Sequence, residues 1–161
     1  MTRTLPDLID ALVAGAKTNW PALTVCDGLP MEVNSGDYLA IGYDDYSSAA
    51  LRAASGSSSE DWAGATMGSG IDETGTITCA AWSQNGNRDA KAARDATYDI
   101  HSSIRSWLIA ELTGTVTALG IPGLWDVRVG GVDELTQGQD ANGAWSFIRF
   151  QIIYQARIEG S

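Results

Sequence analysis

The single histidine is the first residue to consider for catalysis, because imidazole is the side chain that most often moves protons near neutral pH. His101 lies two residues after Asp99 and directly before Ser102, so the residue types of a hydrolase triad occur together. The surrounding pattern predicts a helix, on which neighbours one or two positions apart point in different directions. The three side chains therefore cannot converge. We interpret His101 as a surface or interface histidine and predict no catalytic residue.

Metal and phosphate sites are not indicated by the sequence either. A zinc site needs several nitrogen or sulfur ligands, whereas the chain offers one histidine and two distant cysteines, Cys26 and Cys79. The segment GATMGSG lacks the lysine and the following helix of a phosphate-binding loop. Three acidic pairs lack the spacing of a calcium loop, so we interpret them as solvated loop charges and predict no metal and no cofactor. These pairs are Asp44 with Asp45, Glu60 with Asp61, and Asp72 with Glu73.

The apolar runs and the cysteines of the chain indicate where it is made. No apolar run approaches the roughly 20 residues of a membrane helix. The N-terminal segment MTRTLPDLID has no apolar core of a secretory signal. Two cysteines are too few for a disulfide scaffold, and we interpret them as buried thiols in a reducing compartment. We therefore expect synthesis in the cytoplasm and no membrane partner.

The charge of the chain limits its partners. Ten basic and twenty acidic residues give a formal net charge of −10. The excess is concentrated between Asp27 and Glu73, where nine acids occur with a single base, Arg52. Tight nucleic-acid binding needs a positive surface, so the composition argues against it. A surface past which DNA slides without adhering is compatible with this charge.

The hydrophobic pattern of the chain predicts two helices and six strands. Residues 5–17 and 88–112 have helical periodicity, residues 71–75 (IDETG) form the turn of a hairpin, and Gly130 with Gly131 marks a bulge. We expect an α+β fold, with a mixed, mostly antiparallel β-sheet packed against one long and one short helix, in one domain over residues 1–161. The predicted strands are residues 23–26, 38–43, 61–68, 75–83, 124–129 and 146–158, and the long predicted loops are residues 44–61 and 133–143.

The last predicted strand has the clearest alternation of the chain. Ile148, Phe150 and Ile152 fall on one face, and Arg149 and Gln151 fall on the other. One face of this strand is therefore buried and the other meets water. We predict that the apolar face packs on the stripe of the long helix that contains Ile100, Ile104 and Leu108.

Aromatic residues beside turns are the candidates for binding another protein. The chain has six tryptophans and only two phenylalanines. Several of these indoles lie beside turns, where a fully buried ring is harder to provide, and the two long predicted loops are polar and flanked by aromatic residues. These loops are therefore candidate positions for contact with another protein. The candidate interface residues are Tyr43, Tyr46, Trp62, Trp82, Gln137, Gln139 and Trp145.

Several segments of the chain resemble those of one protein family. They are GTITCAAWSQNGNRDAKAARDATYDI, LGIPGLWDVRVGG and GAWSFIRFQIIYQARI, together with the VCDGLP turn and the strand that ends in GYDD. These segments resemble the tail terminator (tail completion) proteins of long-tailed bacteriophages, in the form found in phages of actinobacteria. The resemblance extends over nearly the whole chain.

The resemblance implies a structural virion protein rather than an enzyme. Members of the family form a homo-hexameric ring at the head-proximal end of the siphovirus tail tube, where they end tube polymerisation and join the tail to the head. The implied partners are further copies of the chain, the major tail tube protein and the head connector or stopper protein. DNA passes through the ring without specific binding, and the implied location is the tail of the virion. The resemblance implies no catalytic, cofactor or metal residues.

Two other functions stay open from the sequence. A stopper or connector of the neck has a similar size and the same structural character. A small acidic ligand-binding domain or enzyme would need a pocket built from residues that are unremarkable singly. A ring has a mass near six times the 17.0 kDa of one chain, whereas an enzyme needs a defined pocket.

Overall fold

A computed structural model of the chain describes residues 4–28, 36–43, 56–62, 70–112 and 118–159. These ranges contain two α-helices, six β-strands and a short 3₁₀ turn at Ala118–Gly120, and both predicted helices are confirmed. The helices are α1 (Thr4–Asn19) and α2 (Ala90–Leu112), and the strands are β1 (Thr24–Asp27), β2 (Tyr38–Ile41), β3 (Gly56–Trp62), β4 (Gly70–Asn85), β5 (Leu124–Asp140) and β6 (Gly143–Glu159).

The strands form one sheet in the order β1-β2-β4-β6-β5. Strands β1 and β2 pair in parallel, and every other described pair is antiparallel. Strand β6 occupies one edge of β4 along its whole length, so β3 and β2 follow one another along the other edge, at residues 71–77 and 79–82. The predicted α+β class, with a mixed and mostly antiparallel sheet, is confirmed.

Strands β5 and β6 form a hairpin, and both are longer than the predicted strands 124–129 and 146–158. A two-residue turn joins Asp140 to Gly143, and the Asp140 carboxylate accepts a hydrogen bond of 2.7 Å from the backbone N–H of Asn142. Gly143 has a φ of 121°, and a Cβ there would lie 2.0 Å from the carbonyl oxygen of Asn85. Only glycine satisfies both conditions, so this position fixes where the hairpin turns beside the end of β4.

Both helices cover the same face of the sheet. Side chains of α1 and α2 share one buried cluster with residues of β2, β4, β5 and β6. On β6, Ile148, Phe150 and Ile152 belong to this cluster, whereas Arg149 and Gln151 are partly exposed. The predicted assignment of the two faces of β6 is therefore confirmed. The predicted stripe of α2 also belongs to the cluster, through Ile100, Ile104 and Leu108.

The opposite face of the sheet carries a second, aromatic cluster. Alternation along β2 and β4 points Tyr38 and Trp82 away from the helices. The two rings are stacked, with centroids 5.6 Å apart and an angle of 18° between their planes. Strand β2 is therefore buried on both faces, as its apolar sequence predicts. This second cluster consists of Tyr38, Ala40, Tyr43, Ala80, Trp82 and Phe147.

Three polar segments were assigned wrongly from the sequence. Residues 71–75 lie inside β4 rather than in a turn, and residues 133–140 continue β5 rather than forming a loop. The end of the predicted loop 44–61 is strand β3, whereas residues 44–55, and residues 63–68 of the predicted strand 61–68, lie outside the described part. These segments form strands because their backbones pair with neighbouring strands, and not because apolar side chains of their own are buried. Their sequences therefore show no apolar alternation.

Candidate functional site

His101 is buried within the chain, and the prediction of a surface or interface histidine is wrong. Its side chain is 3% exposed, and its ring meets Phe150 edge-on with centroids 5.0 Å apart. Its Nε2 lies 2.8 Å from the carbonyl oxygen of Gly130. A carbonyl oxygen can only accept a hydrogen bond, so Nε2 carries the proton and donates it. Gly130 belongs to the predicted bulge, which a register shift between Val129 and Val132 confirms, so His101 ties α2 to this bulge.

The environment of His101 favours its neutral form. Burial lowers the pKa of His101 below the usual 6.5, and the positive charge of Arg105 lowers it further, whereas the hydrogen bond to Gly130 opposes both effects. Asp99 and Ser102 lie on the exposed side of α2, away from the buried imidazole. The structure therefore does not bring together the three side chains that resemble a triad in sequence.

Glu73 is a buried carboxylate, and its interpretation as a solvated charge is wrong. It is 4% exposed, and one of its oxygens accepts a hydrogen bond of 2.6 Å from the Tyr154 hydroxyl. Burial, together with the hydrogen bond to Glu73 and its negative charge, raises the pKa of Tyr154 far above the usual 10, so the phenol stays protonated as a donor. Its neighbour Asp72 matches the prediction of a solvated charge, because its side chain is 44% exposed, and it pairs with Arg157 at 2.8 Å.

The two cysteines have the character of weakly acidic thiols. Cys79 is fully buried, and burial raises its pKa to about 12. Cys26 is partly buried, and burial raises its pKa as well, against the opposing positive charge of Lys17. The thiolate is the reactive form of cysteine, so both side chains are poor nucleophiles in this state.

Groups of possible metal ligands are lacking in the described ranges. Within them, no three His, Cys, Asp or Glu side chains gather closely enough to hold a metal ion. Glu60 and Asp61 are exposed as predicted, but they lie on strand β3 rather than in a loop, directly opposite Glu73 and Asp72 of β4. Like charges directly opposite each other on paired strands are destabilising, so other interactions of the fold must offset the repulsion within these two pairs. The third acidic pair, Asp44 with Asp45, lies outside the described residues.

The candidate interface aromatics occupy different environments. Tyr43 and Trp82 lie in the second cluster and are 2% and 3% exposed, so the expectation that Trp82 is not fully buried is wrong. Trp62 is the last residue of β3, opposite Ile71 of β4. Tyr46 lies outside the described residues. Of the predicted aromatics whose side chains are described, Trp145 is the one that reaches solvent in part.

Trp145 packs across the hairpin on a glycine. It lies opposite Gly138, where a Cβ would come within 2.5 Å of the indole. Gln137 and Gln139 flank Gly138 on β5, and both are exposed. The Gln137 amide donates a hydrogen bond of 3.3 Å to the carbonyl oxygen of Ala90 in the first turn of α2. The structure therefore gathers Gln137, Gln139 and Trp145 at one end of the β5–β6 hairpin.

Strand β5 forms one edge of the sheet beside these residues. It is the last strand in the sheet order, and β6 is its sole partner among the described strands. An edge strand carries backbone N–H and C=O groups that can pair with another chain. The sequence analysis did not identify three exposed apolar residues of β5 and β6, although the alternation of β6 places Ile153 on its outward face. These residues are Trp125, Leu135 and Ile153, which are 57%, 40% and 41% exposed.

Comparison with known proteins gives no family for this chain. No protein-family model matches the sequence, and no curated protein matches it. Within the described ranges, neither helix is long and apolar enough to cross a membrane.

Proposed function

We propose that this chain is a structural virion protein of the tail-terminator type, which forms a ring at the head-proximal end of a phage tail tube. The observation that carries the proposal is the edge strand β5. It is 17 residues long, and its residues from Asp133 to Gln137 are exposed. A long, open sheet edge is a surface for association between chains. The sequence resemblance supports a ring of the tail-terminator type, and the edge of β5 is a surface through which neighbouring subunits could pair.

A ring requires two different surfaces on each subunit. Contacts between unlike patches of identical subunits close into a ring when the rotation between neighbours permits it. Strand β5 lies at one end of the sheet order, and β1 lies at the other end. Pairing of β5 with a different edge of the next copy would continue the sheet from subunit to subunit.

The charge of the chain fits passage of DNA through such a ring. A formal net charge of −10 per chain is multiplied in an assembly, and an acidic surface repels phosphate groups. DNA would therefore move through the ring without adhering. DNA would also have to pass through a stopper or connector, so the charge does not distinguish these proteins from a terminator. Binding to the tail tube is the property that distinguishes them.

The experiment compares the assembly of the chain with its ability to end tail tubes. Native mass spectrometry and negative-stain microscopy are applied to the chain alone and mixed with tail tube protein of the same virus. We expect a mass near six times 17.0 kDa, with rings at one end of each tube. Rings that leave tube length unchanged would favour a stopper or connector. A chain that forms no ring with or without tubes would contradict the proposal.

Matched variants test whether the edge strand forms the contact. Leu135 on β5 and Tyr98 on α2 are 40% and 38% exposed, so replacing either with lysine changes a similar surface. Leu135→Lys is expected to reduce ring formation, because it places a charge beside the pairing edge. Tyr98→Lys is expected to leave the rings intact. Equal effects of the two variants would show that β5 is not the contact.

A further inference from the structure

A cleft of about 500 Å³ lies between the end of α1 and the middle of α2. Trp20, Pro21 and Leu23 form one wall, and Ala96 and Ile100 form the other. This volume is in the range of sites that enclose small molecules or single side chains, and such sites are mostly apolar with a few polar groups. The polar groups come from Asn19, Asp37, Asp99 and Ser103, and Ala22 adds a further apolar contact.

The polar groups of the cleft are negative. Asp37 and Asp99 contribute two carboxylates, and none of the lining residues in the described ranges is a lysine or arginine. The C-terminal end of α1 also reaches the cleft at Asn19, and a helix C-terminus carries about half a negative charge. The Asp37 carboxylate accepts one hydrogen bond of 2.5 Å, from the Ser83 hydroxyl, which holds it in place. A carboxylate oxygen accepts more than one bond, so Asp37 keeps capacity for a ligand.

The indole of Trp20 gives the cleft a rigid aromatic wall. Its ring meets Trp107 of α2 edge-on, with centroids 5.8 Å apart and an angle of 85° between their planes. This contact fixes the orientation of the indole between the two helices. A cation that approaches an aromatic face is attracted by its electrons, and a planar guanidinium can also stack on it.

We infer that this cleft receives an arginine side chain from a basic partner protein. The apolar walls accommodate the methylene stem, the Trp20 ring accommodates the guanidinium plane, and Asp37 and Asp99 accept its N–H groups. Lysine fits less well, because its ammonium is strongly hydrated and cannot stack as a plane. The charge of −10 on this chain favours association with a partner of opposite charge. The inference does not depend on the proposed ring.

The experiment uses N-acetyl-arginine methylamide as the probe for the arginine side chain. It is titrated into the ¹⁵N-labelled full chain at low ionic strength, and the indole N–H resonance of Trp20, assigned with Trp20→Phe, reports binding. We expect saturable shifts that weaken with added salt. N-acetyl-norleucine methylamide has a similar stem without the charge and is expected to give no saturable shift. N-acetyl-lysine methylamide is expected to bind more weakly than the arginine compound.

Charge variants decide whether the carboxylates of the cleft are responsible. Asp99→Asn is expected to weaken arginine binding about tenfold, the effect of losing one charge-assisted hydrogen bond. Asp37→Asn is expected to act in the same direction while keeping an oxygen that Ser83 can reach. Asp10→Asn on the exposed side of α1 removes the same charge outside the cleft and is the control. Equal weakening by Asp99→Asn and Asp10→Asn, or equal binding of the arginine and norleucine compounds, would overturn the inference.

Discussion

The imidazole of His101, in the middle of α2, donates a hydrogen bond of 2.8 Å to the carbonyl oxygen of Gly130, in the bulge of β5. A bulge leaves backbone groups without partners in the ladder, and a buried carbonyl without a donor is costly. His101 supplies the donor from a neighbouring layer. A residue whose sequence context resembles a catalytic triad therefore has a structural role, in which it joins helix and sheet.

Replacement of His101 is expected to change how stability depends on pH. Because the pKa of His101 is lowered in the folded chain, the unfolded chain takes up a proton first as the pH falls below 6.5. The native protein therefore loses stability in this range, and the His101→Gln protein should lose less unfolding free energy over the same range. Urea unfolding between pH 7 and pH 5 measures both slopes. Parallel slopes for the two proteins would contradict the lowered pKa.

Truncation of Phe150 is expected to be strongly destabilising. Its side chain is fully buried between the sheet and α2, so Phe150→Ala leaves a cavity and should cost about 3–5 kcal/mol of unfolding free energy. Ile153 on the same strand is 41% exposed on the other face, and Ile153→Ala should change stability by less than about 1 kcal/mol. Denaturant titration compares the two. A larger loss in Ile153→Ala than in Phe150→Ala would mean that the faces of β6 are reversed.

The contact between Tyr154 and Glu73 makes a third prediction. Tyr154→Phe removes the hydroxyl that donates to the buried carboxylate and should cost about 1–3 kcal/mol of unfolding free energy. Glu73→Gln keeps an oxygen acceptor at the same place, so we expect a smaller loss. Thermal and denaturant unfolding measure both. A larger loss in Glu73→Gln than in Tyr154→Phe would show that the hydroxyl is not the important donor.

Glycine at position 138 is expected to be required for the packing of Trp145. Gly138→Ala places a methyl group within 2.5 Å of the indole, so the ring must move and its N–H resonance should shift. Gly131→Ala is the matched control on the same strand, because a Cβ there meets no atom within 4 Å. The two spectra can be compared directly. An unchanged Trp145 resonance in Gly138→Ala would contradict the contact.

Local patterns in the sequence predict the elements that bury apolar side chains but not those held by pairing alone. The alternation around Phe150 gives β6 and its faces correctly, because each inward position faces the helices. Residues 57–59 of β3, which are all serine, and the polar residues 133–140 of β5 give no such signal, since the neighbouring strand provides their hydrogen bonds.

The misassigned polar residues fail for a related reason. His101 is buried because Gly130 offers an acceptor, and Glu73 is buried because Tyr154 offers a donor. Each partner is distant in sequence, so no window of neighbouring residues contains the pair. The cleft beside Trp20 was not predicted either, because its walls come from the segment that follows α1 and from α2, which are distant in sequence.

The position of β6 between β4 and β5 has a consequence for the order of folding. The β5–β6 hairpin is local, whereas the β4–β6 ladder joins Gly70 to Glu159 and Asn85 to Ala144, across α2 and β5. Folding slows as the sequence separation of contacts grows, because the entropy of chain closure must be overcome first. We therefore expect the hairpin to form early and the docking of β4 to limit the rate. Until β4 docks, the other edge of β6 is open, and it is there that a second unfolded chain could pair and begin aggregation.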